Sequence, residues 1–134
     1  MNTNAGSFWG WLVAAVLAHL IISIVHGAAH AGAHVPLSPA ASAFVFIVIL
    51  AGPLVGLVLT WPARRLGSWV IALTMAGSLV FGFVNHFVFE SPDHVARVGA
   101  QWRALFATTA VLLALTEALG SGLAIRVALG RKSS

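Results

Sequence analysis

The sequence predicts an all-α integral membrane protein, an antiparallel bundle of four transmembrane helices with the N and C termini in the cytoplasm. Of its 134 residues, 60% are hydrophobic and only 7% are charged, and the mean hydropathy is +0.99. A soluble domain carries about 25% charged residues because water must cover its surface. The apolar residues form four long runs with short connections, so residues 1–134 are expected to form a single membrane domain.

The first apolar run predicts a span over residues 8–33, with Trp9 and Trp11 as interfacial anchors. The Ala-Gly-Ala sequence at 31–33 also fits the small-residue rule for signal-peptide cleavage. Residues 1–7, however, contain no Lys or Arg, which a signal peptide usually carries there. We therefore expect this segment to be retained as the first span.

The remaining spans are predicted over residues 41–61, 66–89 and 102–127. The Pro-Leu-Ser-Pro sequence at 36–39 separates the first two helices, since proline ends a helix and is favoured at the start of the next. Pro53 removes a backbone donor from the second span and is expected to kink it. Close contacts between helices are predicted at small-residue pairs four positions apart, namely Gly52 with Gly56, Ser78 with Gly82 and Ala118 with Gly122.

The basic residues predict the orientation of the bundle. Five of the seven Lys and Arg residues fall at one end, namely Arg64, Arg65, Arg126, Arg131 and Lys132, whereas Arg97 and Arg103 fall at the other. Positive charge favours the cytoplasmic side, so a bacterial inner (cytoplasmic) membrane with both termini inside is expected. The charges are scattered, which does not indicate a nucleic-acid surface. The expected surroundings are the lipid bilayer, and the glycine-rich faces favour a homo-oligomer or a subunit of a larger membrane complex.

Four of the six histidines lie on the first span or directly after it, at His19, His26, His30 and His34. At about 100° per residue they occupy roughly 0°, −20°, +20° and +60° around the helix, which is one side of it. Such a stripe in an apolar helix needs a polar partner. In an antiparallel bundle the end of the first span reaches the same level as the end of the third, which carries His86, Glu90, Asp93 and His94.

This convergence predicts a transition-metal site at the outer end of the bundle, with His26, His30, His86, Glu90 and His94 as ligands. His26 with His30, and His86 with Glu90, are spaced four residues apart and would each project from one helix face. The chain has no cysteine, so the ligands must be imidazole and carboxylate, which suit Zn, Cu, Fe or Mn. No motif such as H-E-x-x-H is present to identify the ion, the substrate or a reaction.

Two other interpretations remain open. His86 with His26 or His30 could ligate haem b from two helices, as in a membrane electron carrier, with Gly27 and Gly82 making room for the macrocycle. Alternatively, the protein has no cofactor and provides a proton path, or serves as an accessory subunit. The intramembrane pair His19 and Glu117 supports that third interpretation, because both lie roughly 12–14 Å from the inner surface and an unpaired carboxyl there is costly.

Overall fold

A computed structural model describes the backbone of residues 3–130 and the side chains of residues 7–130, and within these ranges it is helical without strands. The elements are α1 (Thr3–Gly32), α2 (Pro39–Phe44), α3 (Gly52–Leu59), α4 (Arg64–Phe83) and α5 (Ala100–Leu129), with π-helical segments at Val45–Ala51 and Val84–Val88. The chain thus has four helical stretches long and apolar enough to cross a membrane, and we call them spans 1 to 4: Ser7–Gly32, Pro39–Leu59, Arg64–Val88 and Ala100–Leu129. The predicted helices are confirmed, with ends that shift by a few residues.

The turn between spans 1 and 2 has a local cause at each side. His34 adopts a left-handed conformation with φ 54°, and the Val35 N–H donates to the His30 carbonyl at 3.0 Å, which is the capping pattern that ends a helix. On the other side, the Ser38 hydroxyl accepts a hydrogen bond from the Ala41 N–H at 3.1 Å, and Pro39 occupies the first turn of α2. Span 2 therefore begins two residues before its predicted start.

Helix α5 organises the bundle. It packs along both α1 and α4, and α4 packs in turn against α3, whereas α1 and α3 touch only slightly. The shared core of these helices consists of buried apolar side chains, namely Leu12, Val16, Ile71, Ala72, Met75 and Ala124. The first two spans, although neighbours in sequence, therefore leave a gap between them.

The close helix contact predicted at Gly52 and Gly56 is confirmed, and the neighbouring helix is span 3. A Cβ atom added at Gly56 would lie 2.6 Å from Ile71 Cγ1, and one at Gly52 would lie 2.5 Å from Thr74 Cγ2. The predicted contact at Gly122 is wrong, because an added Cβ there would meet nothing within 4 Å. Gly120 is used instead, where a Cβ would collide with the Met75 side chain. The four-residue spacing correctly located small residues on α5, but it did not indicate which face of α5 packs against a neighbouring helix.

Candidate metal centre

Three histidines converge where spans 1 and 3 end. His26 and His30 come from consecutive turns of α1, and His86 comes from the π-helical segment Val84–Val88. One ring nitrogen from each of the three lies within 4.8 Å of the others. We call this group the histidine cluster; His26 and His86 are each 6% exposed. The structure thus brings together the three histidines that the sequence proposed as cofactor ligands.

The hydrogen bonds of His26 and His86 fix which nitrogen faces the middle of the histidine cluster. His26 Nδ1 lies 2.7 Å from the Thr109 hydroxyl, which itself donates to the Leu105 carbonyl at 2.7 Å and so accepts from the ring. His86 Nδ1 lies 3.0 Å from the backbone carbonyl of Asp93, which can only accept. Both Nδ1 atoms therefore carry the hydrogen, and both Nε2 atoms point into the histidine cluster.

These two Nε2 atoms lie 3.2 Å apart. In neutral rings with hydrogen on Nδ1, Nε2 carries a lone pair and no proton. Two lone pairs at this distance repel each other unless a proton or a cation lies between them. Donation of the other ring N–H to an oxygen acceptor is the arrangement found around histidines that bind metals.

The ring of Phe106 forms one wall of the site. Its centroid lies 4.7 Å from the centroids of His26 and His30 and 5.2 Å from that of His86, and Phe106 is fully buried. Ala29 and Val98 pack around it in a small apolar core. This wall holds the three imidazoles in place and separates them from water on that side.

Asp93 closes the outer side of the histidine cluster, a role that the sequence did not assign to it. Its Oδ1 atom lies 3.2 Å from His30 Nε2 and 3.3 Å from His86 Nδ1, and it is buried without a well-aligned hydrogen bond among the described residues. Burial alone raises the pKa of the Asp93 carboxyl, but the approach of the His86 ring and the neighbouring imidazoles outweighs it and holds this pKa below its ordinary value. The carboxylate therefore adds negative charge beside the three rings.

A backbone reversal places Asp93 there. After the π-helical segment, Phe89 is extended and the chain turns back, so that the Val95 N–H donates to the His86 carbonyl at 3.0 Å. Pro92 in the Ser-Pro-Asp sequence at 91–93 was the available signal for such a turn. The sequence could not show which side chain the turn would direct inward.

The other two predicted ligands, Glu90 and His94, lie outside the histidine cluster. The Glu90 carboxylate is 80% exposed and pairs with Arg97 at 3.0 Å. The predicted helical spacing of His86 and Glu90 is wrong because the helix ends at Val88, before the second residue of the pair. His94 Nδ1 accepts from the Ala96 N–H at 3.1 Å within the loop.

The deeper pair that the sequence suggested is close in space. His19 Nδ1 lies 3.7 Å from Glu117 Oε1, and the two residues are 1% and 3% exposed. His19 Nε2 donates to the Ile49 carbonyl at 3.0 Å, so its Nδ1 atom carries a lone pair and has no hydrogen-bond partner among the described residues. Pro53 explains this acceptor, because proline has no N–H to donate to the carbonyl four residues before it.

No protein-family model, curated protein sequence or solved structure matches this chain.

Proposed function

We propose that this protein is a small membrane protein that binds one transition-metal ion through His26, His30 and His86. The observation that carries the proposal is the pair of Nε2 lone pairs that face each other at 3.2 Å. Tetrahedral coordination at about 2.0–2.1 Å places two ligand nitrogens about 3.3 Å apart, so this pair has the spacing that an ion such as Zn²⁺ requires. The third histidine completes a set of three nitrogen donors, and the Asp93 carboxylate lies beside them, 3.2 Å from His30 Nε2 and 3.3 Å from His86 Nδ1.

The donor set restricts the ion but does not single one out. Imidazole and carboxylate suit Zn, Cu, Fe or Mn, and the absence of cysteine removes the thiolate that softer sites use. The carboxylate of Asp93 offsets part of the positive charge that a divalent ion brings into a buried site.

The same geometry favours a bare ion over haem b. Axial histidines of a haem lie on opposite faces of a macrocycle and need a flat gap between them. Here all three rings contact Phe106, and the ring centroids of His26 and His86 are 4.9 Å apart. A macrocycle would have to displace these contacts.

We also propose that the four spans cross a lipid bilayer with the histidine cluster near the non-cytoplasmic surface. Large apolar side chains cover the outside of the bundle, among them Ile21, Phe46, Leu73, Val80 and Leu115, each more than 60% exposed. The excess of Lys and Arg at the opposite end supports this orientation in a bacterial inner membrane. Because the chain has no cysteine, Ala63→Cys and Ala96→Cys provide single labels at the two ends. An impermeant maleimide added to intact cells should react only with Ala96→Cys, and the reverse pattern would overturn the orientation.

The metal proposal is tested on protein purified in detergent, exposed to Zn, Cu, Fe or Mn, and freed of excess ion. Elemental analysis should find one ion per chain, and the absorption spectrum should lack the bands of haem. His26→Gln and His86→Gln should each abolish this binding. His94→Gln is the matched control and should leave it unchanged. A stoichiometry that is the same in all three variants, or no bound ion in the parent protein, would refute the proposed site.

A further inference from the structure

The gap between spans 1 and 2 contains a cavity of about 280 Å³ whose lining comes from all four spans. His26, His30 and His86 form part of this lining, and so does Glu117. Thr109, which hydrogen-bonds His26, precedes Glu117 by eight residues on α5, and at 1.5 Å per residue this is about 12 Å. The cavity therefore connects the histidine cluster with the deeper carboxyl group.

The lining between these two polar ends is mostly apolar, with Ser23, Ser42 and Ser78 as its other polar residues, and part of it reaches the outside of the bundle. Ile24, Phe46 and Phe83 line the cavity and are 63%, 66% and 54% exposed. Because α1 and α3 touch only slightly, the wall on this side is thin. A molecule that enters here would come from the hydrocarbon phase of a bilayer.

The deep end of the cavity offers hydrogen bonds that the protein does not use. Glu117 is only 3% exposed, and its carboxyl group has no hydrogen-bond partner in the part of the chain that the structure describes. Next to the cavity, although not part of its lining, the lone pair of His19 Nδ1 lies 3.7 Å from Glu117 Oε1 and is also unpaired among these residues. Buried polar groups are nearly always satisfied, so this end indicates a ligand with its own polar group.

We infer that the cavity binds a membrane-dissolved small molecule with an apolar body and carbonyl or hydroxyl groups. It enters between spans 1 and 2, places one polar group at Glu117 and brings the other end beside the histidine cluster. The carboxyl group of Glu117 in its neutral form suits either a carbonyl or a hydroxyl group of the ligand, because it can then donate and accept hydrogen bonds. A lipid acyl chain would fill the apolar part of the cavity but leave Glu117 without a partner. The inference goes beyond the metal proposal and does not require a bound ion, since the cavity is formed by the protein alone.

The test uses two probes of similar shape, 1,4-naphthoquinone, which carries two carbonyl groups, and naphthalene, which carries none. Binding to the full chain in detergent is measured by equilibrium dialysis against empty micelles. The chain has no thiol for the quinone to alkylate. Naphthoquinone should bind at one per chain and at least tenfold more tightly than naphthalene, because only the quinone can use the carboxyl group.

Two glycines provide a matched pair of variants for the cavity. A Cβ added at either Gly27 or Gly122 meets nothing within 4 Å, but only Gly27 lines the cavity. Gly27→Leu should lower naphthoquinone affinity at least tenfold, whereas Gly122→Leu should leave it unchanged. Glu117→Leu should lower naphthoquinone affinity about tenfold without changing that of naphthalene.

Equal binding of the two probes would refute the inference in favour of a hydrocarbon-filled pocket, as would naphthoquinone binding that is insensitive to Gly27→Leu. Metal content is determined on the same samples. If the protein contains no ion but still binds naphthoquinone, and Gly27→Leu weakens that binding, only the metal site would be overturned. One ion per chain without probe binding would overturn only the cavity inference.

Discussion

Replacement of Asp93 by Asn tests which acidic residue supports metal binding: Asp93, which the structure places beside the histidines, or Glu90, which the sequence predicted as a ligand. In the structure Asp93 approaches His30 and His86 at 3.2 and 3.3 Å, whereas Glu90 is exposed and pairs with Arg97. The sequence pattern instead pairs His86 with Glu90 as ligands. Asp93→Asn keeps the size of the side chain and the backbone carbonyl that accepts from His86, but it removes the negative charge. Glu90→Gln is the matched control at a position three residues away.

The expected magnitude follows from the role of Asp93 beside the rings. Loss of a group that orients a metal-binding histidine or places negative charge beside it lowers metal affinity about 10–100-fold, or by about 1.4–2.8 kcal/mol. Asp93→Asn should therefore weaken binding by this factor, and Glu90→Gln should change it by less than about threefold, because exposed ion pairs contribute at most about 1 kcal/mol. A competition titration of Zn²⁺ or Co²⁺ against a chromophoric chelator measures both affinities.

The two variants also provide the refutation. If Glu90→Gln weakened binding more than Asp93→Asn, the ligand set of the sequence pattern would be correct and the loop geometry described above would be wrong. If neither variant changed the affinity while His86→Gln abolished binding, Asp93 would have only a packing role. The thermal unfolding of each variant, measured without metal, separates these effects from a general loss of stability.

Three further predictions concern the residues that position the site and the bundle. Thr109→Val removes the acceptor of the His26 ring and should weaken metal binding about 10–100-fold in the chelator titration, whereas Thr109→Ser should retain it. Gly67→Ala should lower the thermal unfolding midpoint in detergent, at a cost of about 1–3 kcal/mol, because the added Cβ collides with the backbone of span 2. Gly122→Ala should not lower the midpoint, and equal midpoints of the two variants would contradict this packing. Pro53→Ala restores an N–H that can donate to the Ile49 carbonyl in place of His19. In a double-mutant cycle, His19→Phe should therefore cost about 0.5–1.5 kcal/mol less stability in the Pro53→Ala protein than in the parent protein. Strictly additive effects would argue against the hydrogen bond between His19 and Ile49.

The spans were readable from the sequence because their cause is local and repeated. Long apolar runs bounded by polar or proline-containing turns predict helices, and the four helices form with ends close to those expected. The histidines at 26 and 30 share a face by helical geometry alone, and the antiparallel order of the spans brings His86 to the same end. The sequence therefore predicted which three histidines form the histidine cluster and which span carries each of them.

The sequence was misleading where the backbone departs from a regular α-helix. The π-helical segment Val84–Val88 and the extended residue after it break the four-residue spacing on which the pairing of His86 with Glu90 depended. The loop then folds back and presents Asp93 instead. No periodicity in the sequence encodes that reversal, since it depends on a hydrogen bond between residues 86 and 95.

What the sequence alone determined is the number of long apolar helices that this chain forms, because it follows from how apolar residues are distributed along the chain. Only the tertiary structure decided which helices touch. Side-chain shape places α5 between α1 and α4 and leaves spans 1 and 2 apart, which opens the cavity. It also decided that a carboxylate from a loop, rather than one from a helix, faces the histidines, because that choice depends on contacts between residues distant in sequence.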